Sequence, residues 1–82
     1  MFTLLKIIQE KYFSLSEKER KIADYILAHP KEASQSTISE IAEKTGVSVA
    51  TITRFSKKVS CENFAELKIR LARETYDQIP DN

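Results

Sequence analysis

The stretch TISEIAEKTGVSVATITRFSKKV, from Thr37 to Val59, decides how this chain folds. Ile38, Ile41 and Ala42 recur at helical spacing. Thr37 followed three residues later by Glu40 is a capping-box pattern, in which hydroxyl and carboxylate satisfy exposed amides reciprocally. A helix is therefore predicted to about Lys44. Thr45-Gly46-Val47 follows, and glycine takes a positive φ without the steric cost that a Cβ imposes. Ser48 can cap a second helix, predicted over about Val49 to Lys58. Ala42 is small where the second helix crosses the first, Val47 plugs the corner, and Ile52 and Phe55 anchor the second helix inside. Together these residues specify two helices joined steeply by a tight turn.

At about 100° per residue, Ile52, Phe55 and Val59 share one side of the second helix. The opposite side carries Ala50, Thr53, Arg54 and Lys57. From Ser48 to Lys58 there are three basic residues, Arg54, Lys57 and Lys58, and no acidic ones. Such a face suits a helix lying in the major groove of double-stranded DNA. Arg54 can bond guanine bidentately, Thr53 can bond a base or a phosphate, and Ala50 can touch a thymine methyl. Lys57 and Lys58 lie toward the far end, within reach of phosphates. Ser48, Val49 and Thr51 sit at the helix start, which comes closest to the backbone and base edges. The candidate DNA contacts are thus Ser48, Val49, Ala50, Thr51, Thr53, Arg54, Lys57 and Lys58, on a helix-turn-helix over about 37–59.

Outward from this motif, the same signals bracket three more helices. The first is predicted over about Phe2 to Tyr12, with Leu4, Leu5, Ile8 and Tyr12 on one face. Ser16 with Glu19 opens the next, with Ser14 and Glu17 as an alternative start, and it runs to about Ala28. It buries Ile22, Ala23, Ile26 and Leu27. His29-Pro30 ends it, since a residue before proline is pushed out of the helical region. Lys31 to Ser36 reads as a polar connection with at most one short turn. Asn63 with Glu66 caps the last helix, about Phe64 to Gln78, before Pro80. The expectation is an all-α domain over 1–78, with five helices around a homeodomain-like three-helical core.

Composition limits the alternatives. Eighty-two residues make one small domain, which buries only roughly 60–65% of its unfolded surface. Thirteen basic against twelve acidic residues leave a net charge of +1, so a local basic stripe rather than bulk charge must carry any contact with DNA. Cys61 and His29 are the only residues of their types, so neither a disulfide framework nor a Cys/His zinc site is available, and both read as structural. A lone cysteine fits a reducing cytoplasm. No stretch resembles a signal core or the roughly 18 apolar residues of a membrane span, so a cytoplasmic chain is expected. There is no phosphate-cradling glycine loop and no nucleophile with a matching base, so no enzyme is expected.

Three blocks together resemble the N-terminal domain of the RpiR family of bacterial transcriptional regulators. They are Leu15 to Leu27, then Gly46-Val47-Ser48 with Ala50 to Phe55, then Asn63-Phe64-Ala65-Glu66-Leu67-Lys68. The resemblance implies regulation of sugar and amino-sugar metabolism. It also implies a sugar-isomerase-like effector domain, absent here, that binds a phosphosugar and dimerises. Residues 79–82 would then begin a linker to it, and no cofactor is expected in the fragment itself. One departure is Ser60, where the family usually has a glycine leaving the recognition helix; Cys61 follows where a larger apolar residue is common.

The last helix has two apolar stripes. Phe64, Leu67 and Leu71 suit the core, while Ala65, Ile69, Ala72, Tyr76 and Ile79 form a second. A monomer needs only one. With Ile7 on the first helix, the second stripe is expected to help form a homodimer that spaces two recognition helices on DNA half-sites. The competing reading is a helical protein-interaction or dimerisation module without DNA binding, presenting its apolar terminal faces to partner helices.

Overall fold

A computed structural model describes residues 3–77. Within the described residues six α-helices follow one another: α1 (Leu4–Lys11), α2 (Glu17–Ala28), α3 (Pro30–Gln35), α4 (Ile38–Thr45), α5 (Val49–Lys58) and α6 (Phe64–Asp77), with a 3-10 turn at Tyr12–Ser14. The all-α expectation holds, but the count is six rather than five. The extra helix is α3, in the segment read as a polar connection. Proline explains both sides of that boundary. It cannot continue α2, yet at the first position of a new helix its fixed φ fits and its missing N–H is not needed. Ala33 is the one wholly buried side chain of α3, and α3 packs along α6 more extensively than any other pair of helices. Six residues are too few to hold a helix in water, so this packing supports it.

Side-chain caps define the other helix starts. Thr3 caps α1, and Ser16 and Thr37 each form a complete capping box, with Glu19 and Glu40. Asn63 Oδ1 accepts from the Glu66 amide at 2.8 Å. The start of α1 receives a second acceptor from a distance of 70 residues: the Glu74 carboxylate of α6 takes bonds from the amides of Leu4 and Leu5. A carboxylate at a helix N-terminus satisfies stranded donors and opposes the macrodipole, and here it also ties the first helix to the last.

The core is assembled from one face of each helix. Leu4 and Ile8, Ile22, Ala23 and Ile26, Ile41, Ile52, Phe55 and Val59, and Leu67 and Leu71 are all buried. Leu5, Ile7, Tyr12, Leu27 and Ile38 pack partly against them. Ile7 therefore contributes to this core rather than standing wholly outside it. Phe13 is the opposite case, 84% exposed, beside a backbone held by Arg20, whose guanidinium donates to the carbonyls of Tyr12 and Phe13. Every buried side-chain nitrogen and oxygen among the described residues has a partner.

Two left-handed residues set the corners. Gly46 has φ +73°, and its amide and that of Val47 both close on the Ala42 carbonyl, at 2.9 and 3.2 Å. This is the bend the sequence predicts. The second corner lies after α5, where Ser60 adopts φ +70°. The Cys61 amide donates to the Ser56 carbonyl and the Ser60 amide to that of Lys57, at 2.9 and 3.3 Å. That pair of bonds is a Schellman motif, which places its left-handed residue where glycine is normally found. Ser60 thus holds a glycine conformation with a Cβ. Ser60→Gly should stabilise the domain by about 1 kcal/mol, because the exposed serine hydroxyl makes no bond among the described residues. For a domain this small that is a rise of about 4–8 °C in melting midpoint. A lower midpoint in a thermal unfolding curve would show that the corner is not strained.

Candidate nucleic-acid interface

The geometry of α5 follows from its two ends. At the start, Ser48 Oγ accepts from the Thr51 amide at 3.1 Å. The first turn contains no acid and the last turn contains Lys57 and Lys58. Inside, Ile52 and Phe55 seat the helix against α2, α4 and α6. Ser56 is fully buried as well, and its hydroxyl returns to the Ile52 carbonyl at 3.0 Å.

The outward side presents most of the residues expected there. Ser48, Val49, Ala50, Arg54 and Lys57 are exposed, and Thr53 is half-buried. Val49 leaves an apolar surface open at the helix start, with 44% of it exposed. The Thr53 hydroxyl donates back to the Val49 carbonyl at 3.2 Å, which fixes the side chain while its lone pairs face out. Among the described residues neither Arg54 nor Lys57 takes part in an ion pair.

Two expected contacts are placed differently. Thr51 is only 5% exposed, so it does not share the open face. Its hydroxyl lies 2.9 Å from Ser48 Oγ and accepts from Arg54 Nη2 at 3.4 Å. Lys58 remains half-exposed, but its ammonium donates to Glu19 Oε1 at 2.9 Å. Both stand on the flank of Phe55, four residues before it and three after, which is the spacing that puts them along the packed edge.

Glu19 has a role that its capping box does not disclose. The residue is 3% exposed, and it accepts from the Ser16 amide at 2.8 Å as well as from Lys58. Burial pushes its carboxyl pKa upward, but the bonds from Ser16 and Lys58 outweigh this and hold it below the usual carboxylate range. One carboxylate thus starts α2 and anchors the far end of α5. No local pattern announces this, since the pair is 39 residues apart.

Lys44, also basic and within the motif, is tied elsewhere. Its ammonium binds the Glu32 carboxylate and approaches the Tyr25 hydroxyl. Cys61 is buried, and desolvation pushes its thiol pKa up, so it stays protonated at neutral pH. Among the described residues no cluster of metal-ligating side chains occurs, and no helix is long and apolar enough to cross a membrane.

The second stripe of α6 divides. Ala65 is exposed, Ile69 is 60% exposed and Ala72 is half-buried. The side chain of Tyr76, and Ile79 altogether, lie outside the described residues, as does the proposed linker at 79–82. Ala65 and Ile69 join Thr37, Ile38, Phe64 and Lys68 around a shallow, almost wholly apolar groove.

Comparison with known proteins agrees with this architecture. The HTH-type transcriptional regulator YbbH of Bacillus subtilis is 44% identical over 68 residues, covering 83% of this chain and 24% of that protein. HexR of Pseudomonas aeruginosa is 37% identical over 73 residues, covering 89% of this chain and 26% of HexR. The chain therefore spans about a quarter of the length of these relatives. The crystal structure of the YbbH N-terminal domain superimposes with a TM-score of 0.80 at 43% identity, covering 87% of this chain and 88% of that one. Vibrio vulnificus NanR, solved in complex with ManNAc-6P, gives 0.88 at 27% identity over 92% of this chain and 29% of NanR. Residues 2–78 match the family described as "Helix-turn-helix domain, rpiR family". With its bend at Gly46 and its outward α5, the chain belongs to the rpiR family of helix-turn-helix transcriptional regulators.

Proposed function

We propose that this domain binds double-stranded DNA sequence-specifically, with α5 in the major groove. The observation that carries this reading is the open face of α5, where Arg54 and Lys57 project without ion-pair partners among the described residues and no acid of α5 interrupts them. Arg54 reads a base, and Thr53, Ala50 and Val49 supply shorter-range contacts. Ser48 and Lys57 meet phosphates, and Lys58 reaches one only by leaving Glu19. The reading places the protein in the bacterial cytoplasm, where its DNA lies.

The test is selection of bound duplexes from a random pool, followed by titration of the enriched duplex over a range of salt. Lys57→Ala should weaken binding to every duplex and reduce the log–log salt slope by about 0.9, one phosphate contact. An unchanged slope would remove Lys57 from the interface.

The regulated process is sugar or amino-sugar metabolism. Support comes from NanR, whose structure holds the phosphosugar ManNAc-6P. A phosphosugar effector would bind a further domain of the whole protein. Within the present chain, Ala65, Ile69 and Ala72, with Tyr76, form a homodimer face that sets two α5 helices on adjacent half-sites. Supporting this is the 60% exposure of Ile69 in an apolar surround. Sedimentation should show concentration-dependent association at micromolar protein, abolished by Ile69→Lys while the helical content is kept. A monomer throughout that range would exclude dimerisation through this face.

A further inference from the structure

The sequence pattern groups Thr51 with the DNA contacts, but its burial requires another role. The first turns of α2, α4 and α6 each carry a glutamate three residues after the cap: Glu19, Glu40 and Glu66. In α5 that position is Thr51, and its first turn has no acid. A neutral hydroxyl there keeps a carboxylate away from phosphates.

Hydrogen-bond accounting shows what this hydroxyl does. Ser48 Oγ already accepts from the Thr51 amide at 3.1 Å, and the two hydroxyl oxygens are 2.9 Å apart. Arg54 Nη2, which can only donate, gives a long bond of 3.4 Å to Thr51 Oγ1. Were Ser48 to donate to Thr51, both acceptor sites on Thr51 would be filled and its own buried proton would lack an acceptor. The reverse arrangement leaves no stranded group. Thr51 then donates to Ser48, both acceptor sites on Ser48 are occupied, and the Ser48 proton must point away into the open.

We propose that Thr51 is a positioning residue for DNA recognition, its buried hydroxyl orienting the Arg54 guanidinium and turning the Ser48 hydroxyl outward as a phosphate donor. This rests on the DNA-binding reading above and adds to it a residue that touches no DNA. The helix cap does not depend on this hydroxyl, because the capping bond comes from the Thr51 backbone amide. Positioning and capping can therefore be separated by substitution.

The experiment uses Thr51→Val, which keeps the shape and the amide, beside Thr51→Ser, which keeps the hydroxyl. Binding is measured to a duplex enriched by the wild-type chain. Thr51→Val should weaken it about 3- to 10-fold, the worth of one hydrogen bond, and Thr51→Ser should recover most of that loss. In Arg54→Ala or Ser48→Ala backgrounds the Thr51→Val effect should shrink, since the groups it orients are gone. In the free protein, nitrogen relaxation at Arg54 Nε should show more side-chain motion in Thr51→Val than in wild type. Undiminished binding by Thr51→Val, or the same loss in every background, overturns the proposal while leaving DNA binding intact. Failure of the wild-type chain to enrich any duplex overturns both.

Discussion

Phe55→Ala is expected to remove most of the stability of this domain, moving its unfolding midpoint far down or leaving no cooperative transition. Phe55 is completely buried and is the largest of the fully buried side chains among the described residues. It sits on α5, which packs against α2, α4 and α6, so its ring lies on a helix that joins all three. Truncating a buried phenylalanine costs about 3–5 kcal/mol, the removed surface plus the cavity left behind. A chain of 82 residues has a total stability of only about 4–12 kcal/mol. The loss is therefore a large share of the whole. Phe13→Ala is the natural control. That ring is 84% exposed, and its removal should change stability by no more than about 0.5 kcal/mol. Denaturant titration of both variants by circular dichroism checks the pair. Equal midpoints would mean that α5 is not seated by Phe55, and the orientation of its outer face would lose its physical basis.

This same seating explains why so much of the molecule could be read from sequence. A cap and its partner lie three residues apart, and an apolar stripe repeats within one helix, so both are local signals. Ser16 with Glu19, Thr37 with Glu40, Ser48, and Asn63 with Glu66 are all found as caps. Gly46 has the positive φ its position demanded. The failures are those of longer-range physics. In α3 a single buried alanine, Ala33, carries the packing, and polar neighbours hide it from any periodicity. Its stability belongs to α6 as much as to itself. The ion pair of Lys58 is hidden because Glu19 is distant along the chain. Thr51 is different, since it stands four residues before Phe55, a local spacing that runs along the packed edge. Its place in the first turn of α5 set it among the expected contacts, and its burial takes it off the open face. Ser60 is the converse, a departure from glycine visible in sequence, whose left-handed backbone is retained all the same.

Arg54→Ala should produce the largest loss of binding that leaves the fold intact. The side chain is exposed, and among the described residues its only side-chain hydrogen bond is the long one to Thr51 in the same helix, so unfolding midpoints should stay within about 0.5 kcal/mol of wild type. In a complex the guanidinium can give two parallel bonds to O6 and N7 of one guanine, a geometry that no other base offers. Losing them costs about 1–3 kcal/mol, or about 5- to 150-fold in affinity. The loss must also be selective. Binding to the enriched duplex falls, while binding to a duplex altered at the matching base pair, already lacking those bonds, falls much less. Arg54→Lys should not restore discrimination, because a point charge retains attraction to phosphate but lacks the fork that reads guanine. Lys57→Ala provides the contrast, weakening all duplexes alike. Should Arg54→Ala weaken every duplex equally, the residue is a phosphate contact and the reading of bases passes to Ala50, Thr53 and Val49. Should it change nothing, α5 does not enter the groove by this face, because Arg54 is exposed on it.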